Sequence, residues 1–553
     1  FFMLKTQDLN GEWDFHFTKK KLNEIVPADI SYEDKMPVPG CFDAKGKFRY
    51  LRGTGIYRRT LSCGGKIRLD VGAVGLRADL FWDKKKIGSM EKPFSKESFI
   101  FESGPQGIHE LVIATENTLD KEPSSMFHPY YDFYAYGGIY RKVAVTELPE
   151  VYLDYERITP LDLKEGTVEI HLEIGGKWES LNMIELSFDD GQMISVPVPD
   201  KIVHTVQKVP SHKLWSVETP NLHRLHLRAG QDEKEIRFGM RKVGLQDGRI
   251  TLNGEPVKLI GFNRHDAHPD YGYAIPAEIT RNDLEMIREK GYNFIRGCHY
   301  TQSETMLSIC DELGLLVWDE SLGWGNSIAS MTDPVFCRYQ QEQTRQMVRK
   351  SINHPCIILW GFLNEASTHE PEAGKLVNSL IQTIRSEDQS RLVTFASNQI
   401  FNDLCLDSLD VVSFNTYPGW YGQQDAQQFP QEEVLDALRK IIQFASQERY
   451  RGKGVILSEI GAAALPGDHS GLRWSEEYQA ELLKTVLDEG WRDERWSGVA
   501  FWHFSDTKTY SDGRAIHRPR GFNNKGLVTE YRIPKLAWEA LSRKFLSVSN
   551  IGK

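Results

Sequence analysis

Two glutamates stand at matching places in the second half of the chain. Glu365 follows the apolar run Ile357-Ile358-Leu359-Trp360-Gly361-Phe362-Leu363 and then Asn364; Glu459 follows Gly454-Val455-Ile456-Leu457-Ser458. A carboxylate at the end of a buried run is costly unless it is paired or used. Either alone could cap a helix or hold an arginine. Two facing each other across a cleft can hydrolyse a glycosidic bond: one donates a proton to the leaving oxygen, the other attacks the anomeric carbon. Retention of configuration requires the two carboxyl groups to be about 5–5.5 Å apart. A third group is Lys525, in Asn523-Asn524-Lys525-Gly526. A lysine taken at random is simply solvated. This one follows the last apolar run, and a lysine beside an amide offers a carboxylate both a point charge and directed donors.

Something must bring these positions together. After Val243, apolar runs alternate with amphipathic helical stretches: Val257 to His265, Asn293 to Tyr300, Leu315 to Glu320, Cys356 to Glu365, Leu392 to Ser397, Val411 to Tyr417, Val455 to Gly461 and Val499 to Asp506, with a last helix from Leu536 to Leu546. Eight such units predict a (β/α)8 TIM barrel. A doubly wound sheet competes, but no Gly-rich fingerprint follows the first run. In a TIM barrel the chemistry sits at the carboxyl ends of the strands. All of these runs but the fifth end in polar groups, among them Arg264-His265-Asp266, Arg296 with His299, Asp319-Glu320, Asn364-Glu365, Asn415 with Tyr417, Ser458-Glu459 and Trp502-His503.

Before Val243 the reading is β. Short alternating runs such as Ile67 to Val71 and Leu111 to Ala114 recur between Gly, Pro and Asp turns, and Val168 to Ile174 alternates strictly. Sandwiches follow. The expected plan is multidomain β and α/β: a jelly-roll-like β-sandwich over 1–147, an immunoglobulin-like β-sandwich over 148–242, and the barrel over 243–553.

Composition narrows the function classes. The formal net charge is −10, without the basic face that broad nucleic-acid binding needs. No apolar stretch reaches about 18 residues, so no membrane span is expected. Phe1-Phe2-Met3-Leu4-Lys5 lacks a signal-peptide core. Seven Cys without a C-x-x-C pair indicate neither a metal site nor a disulfide framework, and a reducing, cytoplasmic setting is expected.

His354-Pro355-Cys356-Ile357-Ile358-Leu359-Trp360 with Asn364-Glu365 resembles the acid/base signature of glycoside hydrolase family 2. Ser458-Glu459-Ile460-Gly461 is similar to that family's nucleophile strand, and Gly261-Phe262-Asn263-Arg264-His265-Asp266 to its first barrel strand. The three-domain plan matches as well. Within the family, the loop Asn415 to Tyr421, the stretch Trp474 to Gln479 and above all Asn523-x-Lys525 resemble the β-glucuronidases. The resemblance implies catalysis by Glu365 and Glu459, and a sugar carboxylate held by Asn523 and Lys525. It further implies a pocket including Asp132, His299, Asn364, Tyr417, Tyr421 and Trp502. A pocket arginine is implied near Arg518 and Arg520; Arg520 is preferred here because it is nearer Asn523. The connection from Glu320 to Asp333 is short and Gly/Ser-rich where some relatives carry a long covering loop, which implies a more open entrance.

The expected activity is a retaining exo-β-glucuronidase acting on glucuronide conjugates or oligosaccharides. A β-galacturonidase, differing at one hydroxyl, is the first alternative. A β-galactosidase has no use for Asn523 and Lys525, and a noncatalytic sugar-binding protein has no use for both glutamates. No cofactor, metal, nucleic acid or membrane partner is expected; the substrate is a small uronide, and the chain is expected to form a homo-oligomer.

Overall fold

The computed structural model describes residues 6–189, 191–422, 427–510 and 518–541. Two antiparallel sheets build the first sandwich. One holds Thr6–Asp8, Val143–Glu147, Lys66–Val71 and Glu97–Glu102; the other holds Asp34–Val38, Gly11–Thr18, Thr54–Cys63, Gly107–Glu116, Arg77–Trp82 and Lys85–Met90. Trp13, Phe15, Tyr57, Leu111 and Ile113 from the larger sheet meet Ile67, Leu69 and Val145 from the smaller one in a shared core. Period-2 alternation makes this possible: along Lys66–Val71, Ile67, Leu69 and Val71 are buried and the residues between them are half-exposed.

The second sandwich is smaller. Val151–Asp162, Thr167–Gly176 and Ile202–Lys208 form one sheet; Ile194–Pro197, Met183–Phe188, His223–Ala229 and Asp232–Phe238 form the other. The strict alternation of Val168 to Ile174 appears as buried residues separated by half-exposed ones. A three-stranded antiparallel ribbon, Val243–Gln246, Arg249–Leu252 and Glu255–Pro256, then leads to the barrel; sequence reading had not separated it.

The barrel strands are β1 (Leu259–Asn263), β2 (Phe294–Gly297), β3 (Leu316–Glu320), β4 (Ile357–Gly361), β5 (Leu392–Val393 with Ala396–Ser397), β6 (Val411–Asn415), β7 (Gly454–Ile460) and β8 (Gly498–Phe501). All their pairings are parallel. β5 is broken: its first half pairs with β4 and its second with β6, and β8 pairs with both β1 and β7, so the ring closes. The strands are buried throughout, as expected where helices cover a parallel sheet. Residues 536–541 are helical; the rest of the expected last helix lies outside the described residues. No helix among the described residues is long and apolar enough to cross a membrane.

One segment of the first sandwich packs into the barrel as well as against its own domain. Met126, Phe127, Tyr131, Phe133, Tyr134 and Tyr136 join the barrel's apolar cluster. Tyr134 N–H donates to Lys508 O at 3.0 Å, and Arg141 Nη2 donates to Thr301 O at 2.6 Å.

Candidate active site

β4 runs into a tight turn in which Leu363 and Glu365 have φ of 49° and 52°, the left-handed region that costs a residue with a side chain about 1–3 kcal/mol and clusters at functional sites. Backbone bonds hold the turn: Asn364 N–H to Gly323 O at 3.1 Å and Glu365 N–H to Ala396 O at 2.9 Å. The Glu365 carboxyl faces a cavity of about 700 Å³ at the carboxyl ends of the strands. Asn415 Nδ2 donates to it at 2.9 Å. Burial first, and then the neighbouring Glu459 carboxylate, push its pKa up to about 8, so at neutral pH it carries a proton.

Glu459, near the end of β7, has a different setting. Arg296 Nη1 donates to Oε1 at 2.8 Å and Tyr417 Oη to Oε2 at 2.6 Å. Burial raises its pKa too, but Arg296 and Tyr417 oppose the rise. The environments therefore push the two carboxyls apart, which is how acid and nucleophile roles are divided. Arg296 is fully buried and also donates to Glu320, Asn263 Oδ1 (3.0 Å) and Asn364 Oδ1 (2.8 Å). It ties four barrel strands to one guanidinium. Sequence reading placed Arg296 and Asn415 at strand ends but gave neither a role.

The same cavity is lined by Asp132, Tyr421, Arg518 and Asn523. Arg518 Nε donates to both Asp132 oxygens (3.0 and 2.9 Å), and Nη2 adds a further short bond. Asn523 Nδ2 and Thr509 Oγ1 also donate to Asp132, at 3.2 and 2.9 Å. Lys525 Nζ donates to Tyr421 Oη at 2.7 Å and lies over the rings of Tyr417, Trp420 and Tyr421. It is 1% exposed, and burial together with Arg518 holds its ammonium well below the ordinary lysine range. A buried cation in this state gains from an arriving anion.

The expectation for Arg520 is corrected. Its guanidinium pairs with Glu530 (2.8 Å) and with Asn524 Oδ1 (2.8 Å), away from the cavity, while Arg518 lines it. Proximity to Asn523 in sequence misled, because Arg520 sits at φ 62° in a short turn that swings its side chain outward.

The remaining expected residues converge. His299 and Trp502 line the cavity and stack at 5.1 Å and 16°. His299 Nδ1 faces Glu320 Oε1 at 3.0 Å, and burial keeps the ring neutral. The Nε2 atoms of His299 and His265 and Nδ2 of Asn364 are buried without a hydrogen-bond partner among the described residues. Such atoms are what sugar hydroxyls satisfy. His265, Cys298 and His299 bring donor atoms within 4.8 Å of one another. Arg296 Nη2 lies 3.3 Å from His299 Nδ1 and burial pushes the Cys298 thiol up, a setting that disfavours a divalent cation.

Comparison with known proteins agrees with this geometry. Residues 151–241 match the family model described as "Glycosyl hydrolases family 2", and residues 243–550 match "Glycosyl hydrolases family 2, TIM barrel domain". A β-glucuronidase of Canis lupus familiaris is 27% identical over 568 residues, 93% of this chain and 85% of its own. The crystal structure of a β-galacturonidase from Eisenbergiella tayi is 31% identical with a TM-score of 0.90, covering 99% of this chain and 97% of that one. A β-glucuronidase from Faecalibacterium prausnitzii, at 23% identity and a TM-score of 0.88, shares the fold over 98% of both chains. With its carboxylate pair at the mouth of a TIM barrel behind two β-sandwiches, the chain belongs to glycosyl hydrolases family 2 and is a glycoside hydrolase.

Proposed function

We propose that the protein is a retaining exo-β-hexuronidase that releases terminal β-D-glucuronate from small glycosides. The observation that carries this reading is the cation-and-amide cluster of Lys525, Asn523 and Arg518, bonded to Tyr421 and Asp132 in the lining of the cavity that holds Glu365 and Glu459. A neutral sugar offers a buried lysine hydroxyl acceptors but no opposite charge. A uronate carboxylate supplies it, and the charge-assisted bonds it forms are strong.

In the first step a Glu459 oxygen bonds to the anomeric carbon, the glycosidic C–O bond breaks, and the Glu365 proton passes to the leaving oxygen. In the second, Glu365 takes a proton from water as its oxygen attacks the anomeric carbon and frees Glu459. Esterification of Glu459 removes its charge, which lowers the pKa of Glu365 and suits it to act as base. Arg296 and Tyr417 hold Glu459 in line, and Asn415 orients Glu365.

A β-galacturonidase is the second reading, favoured by the 31% identical Eisenbergiella tayi enzyme, of which one structure is bound to galacturonate. A side-by-side assay with chromogenic β-glucuronide, β-galacturonide and β-galactoside tests both. Turnover of a uronide, with the anomeric configuration of the first product retained by NMR, supports the proposal. Preference for the β-galactoside overturns it.

A further inference from the structure

A loop of the first sandwich reads Lys45-Gly46-Lys47-Phe48-Arg49-Tyr50-Leu51-Arg52, basic residues interleaved with aromatics in a chain whose net charge is −10. Lys47 pairs with Asp34 at 2.6 Å, and Arg52 lies 3.8 Å from Asp43. Lys45, Arg49 and the nearby Lys508 have no carboxylate partner among the described residues. Each stands over a tyrosine instead: Lys45 is 5.1 Å from the ring centre of Tyr271, and Arg49 and Lys508 are 4.7 and 5.0 Å from that of Tyr50. Arg49 also donates to Tyr50 Oη at 2.9 Å, and Lys508 Nζ to Gly521 O at 3.2 Å. The three belong to one patch. The charge of Arg49 reaches Lys508 and Tyr531, and that of Lys45 reaches His268, whose ring lies 5.2 Å from Tyr271 and 5.7 Å from Tyr531. Tyr50, Tyr271 and Tyr531 are exposed. The acids at the rim are engaged: Glu530 holds Arg520 at 2.8 Å, and Asp270 faces the Tyr531 hydroxyl. Lys508 sits on a two-stranded ribbon, opposite Phe522, while Thr507 opposes Asn523. Neighbours along a strand face opposite sides, so Asn523 lines the cavity and Lys508 looks outward.

We propose that Lys45, Arg49 and Lys508, with the exposed rings of Tyr271 and Tyr531, form a docking surface outside the cavity for an acidic polysaccharide, a polymer with one carboxylate per sugar ring. The tyrosines hold the cations in place, so less side-chain freedom is lost when a carboxylate arrives than at a loose surface lysine. A tyrosine ring presents an apolar body and a polar tip, which suits the mixed C–H and hydroxyl surface of a sugar. Three cations on an otherwise acidic chain match widely spaced charges. A dense phosphate backbone would bring the remaining negative surface against it. The surface anchors the enzyme and takes no part in bond cleavage, and it does not depend on the hexuronidase reading.

Affinity electrophoresis of the full chain tests this, in native gels cast with polygalacturonate, neutral galactan or polyglutamate, the last carrying carboxylates without sugar rings. Polygalacturonate should retard the protein, galactan should not, and polyglutamate should do so more weakly. Salt at about 0.5 M should release it. Lys45→Ala combined with Arg49→Ala should raise the apparent Kd for polygalacturonate by about tenfold, while kcat/KM on a chromogenic uronide stays within about twofold, which also shows that the variant folds. Lys47→Ala, whose cation is already paired, should be retarded like the wild type. Lys525→Ala, which strips the cavity of its cation, should also remain retarded. Tyr531→Ala should weaken binding to polygalacturonate but not to polyglutamate. The proposal is overturned if the wild type runs freely through polygalacturonate, if the double variant is retarded as strongly as the wild type, or if polyglutamate binds as well as the polysaccharide. It is overturned equally if Lys525→Ala abolishes retardation, since the cavity would then be holding the polymer.

Discussion

Arg296 Nη1 lies 2.8 Å from Glu459 Oε1, whereas Glu365 takes its hydrogen bond from the uncharged amide of Asn415. One carboxyl has a guanidinium donor and, among the described residues, the other has none, and in the proposed mechanism the roles divide along that line. Arg296→Gln should blur the division. The pKa of Glu459 would rise further, so less of it is ionised at a given pH. The acid limb of kcat/KM should move to higher pH. The neutral-pH rate should fall by about a hundredfold or more, since breaking one side of a buried pair costs about 3–5 kcal/mol. An unmoved acid limb would mean that another group controls it.

Glu365 supplies a prediction in stability as well as rate. Its folded pKa, about 8, lies above the ordinary 4.5. The stability its protonated form contributes is full below about 4.5 and is lost as pH rises through 8. Glutamine is neutral at every pH. The Tm of Glu365→Gln relative to wild type should therefore climb from pH 4.5 to 8 and then level off. The same variant should lose the basic limb of the rate profile but spare substrates with very good leaving groups, which need no proton. A constant Tm difference would contradict the raised pKa.

For Lys525 the expected signature is selectivity. Lys525→Ala should cost uronides about 2–5 kcal/mol, roughly 30- to several-thousand-fold in kcat/KM, and leave trace activity on neutral glycosides unchanged. Because burial holds the ammonium well below its usual range, an arriving carboxylate should restore its proton. Calorimetric titration with a uronate in buffers of different ionisation enthalpy should show proton uptake, diminishing toward low pH. Equal losses on charged and neutral sugars would reduce Lys525 to a structural residue.

Arg518 and Arg520 should separate cleanly. Arg518→Lys keeps the charge but cannot reproduce the fork on Asp132, and uronide kcat/KM should drop by about tenfold or more. Arg520→Ala removes the bonds to Glu530 and Asn524 and should lower Tm by a few degrees with under about threefold loss of activity. The reverse ranking, measured by steady-state kinetics and thermal melts, would put the wrong arginine in the cavity.

How far the sequence carried depended on the kind of order involved. The barrel strands were legible because a parallel strand buried on both faces is a continuous apolar run that ends abruptly in polar groups, as at Leu363-Asn364-Glu365. The break in β5 left no such mark, since Thr394 and Phe395 read as part of the run. Glu365 and Glu459 were found because motifs are local. Arg296 was not assigned a role because its partners, Asn263, Glu320, Asn364 and Glu459, come from other strands and meet it only in space. The choice between Arg518 and Arg520 failed for a similar reason: two neighbours in a turn point in opposite directions, and distance along the chain does not say which.

The segment carrying Asp132 begins and ends in the first sandwich, yet its aromatic side chains are rooted in the barrel's core. It works as a peg in a socket. A chain built this way is not a string of exchangeable modules. Replacing the first sandwich with a foreign one would pull Tyr131 and Phe133 out of the barrel and take the partner of Arg518 and Asn523 with them, so inheritance of the catalytic domain has to drag its neighbour along.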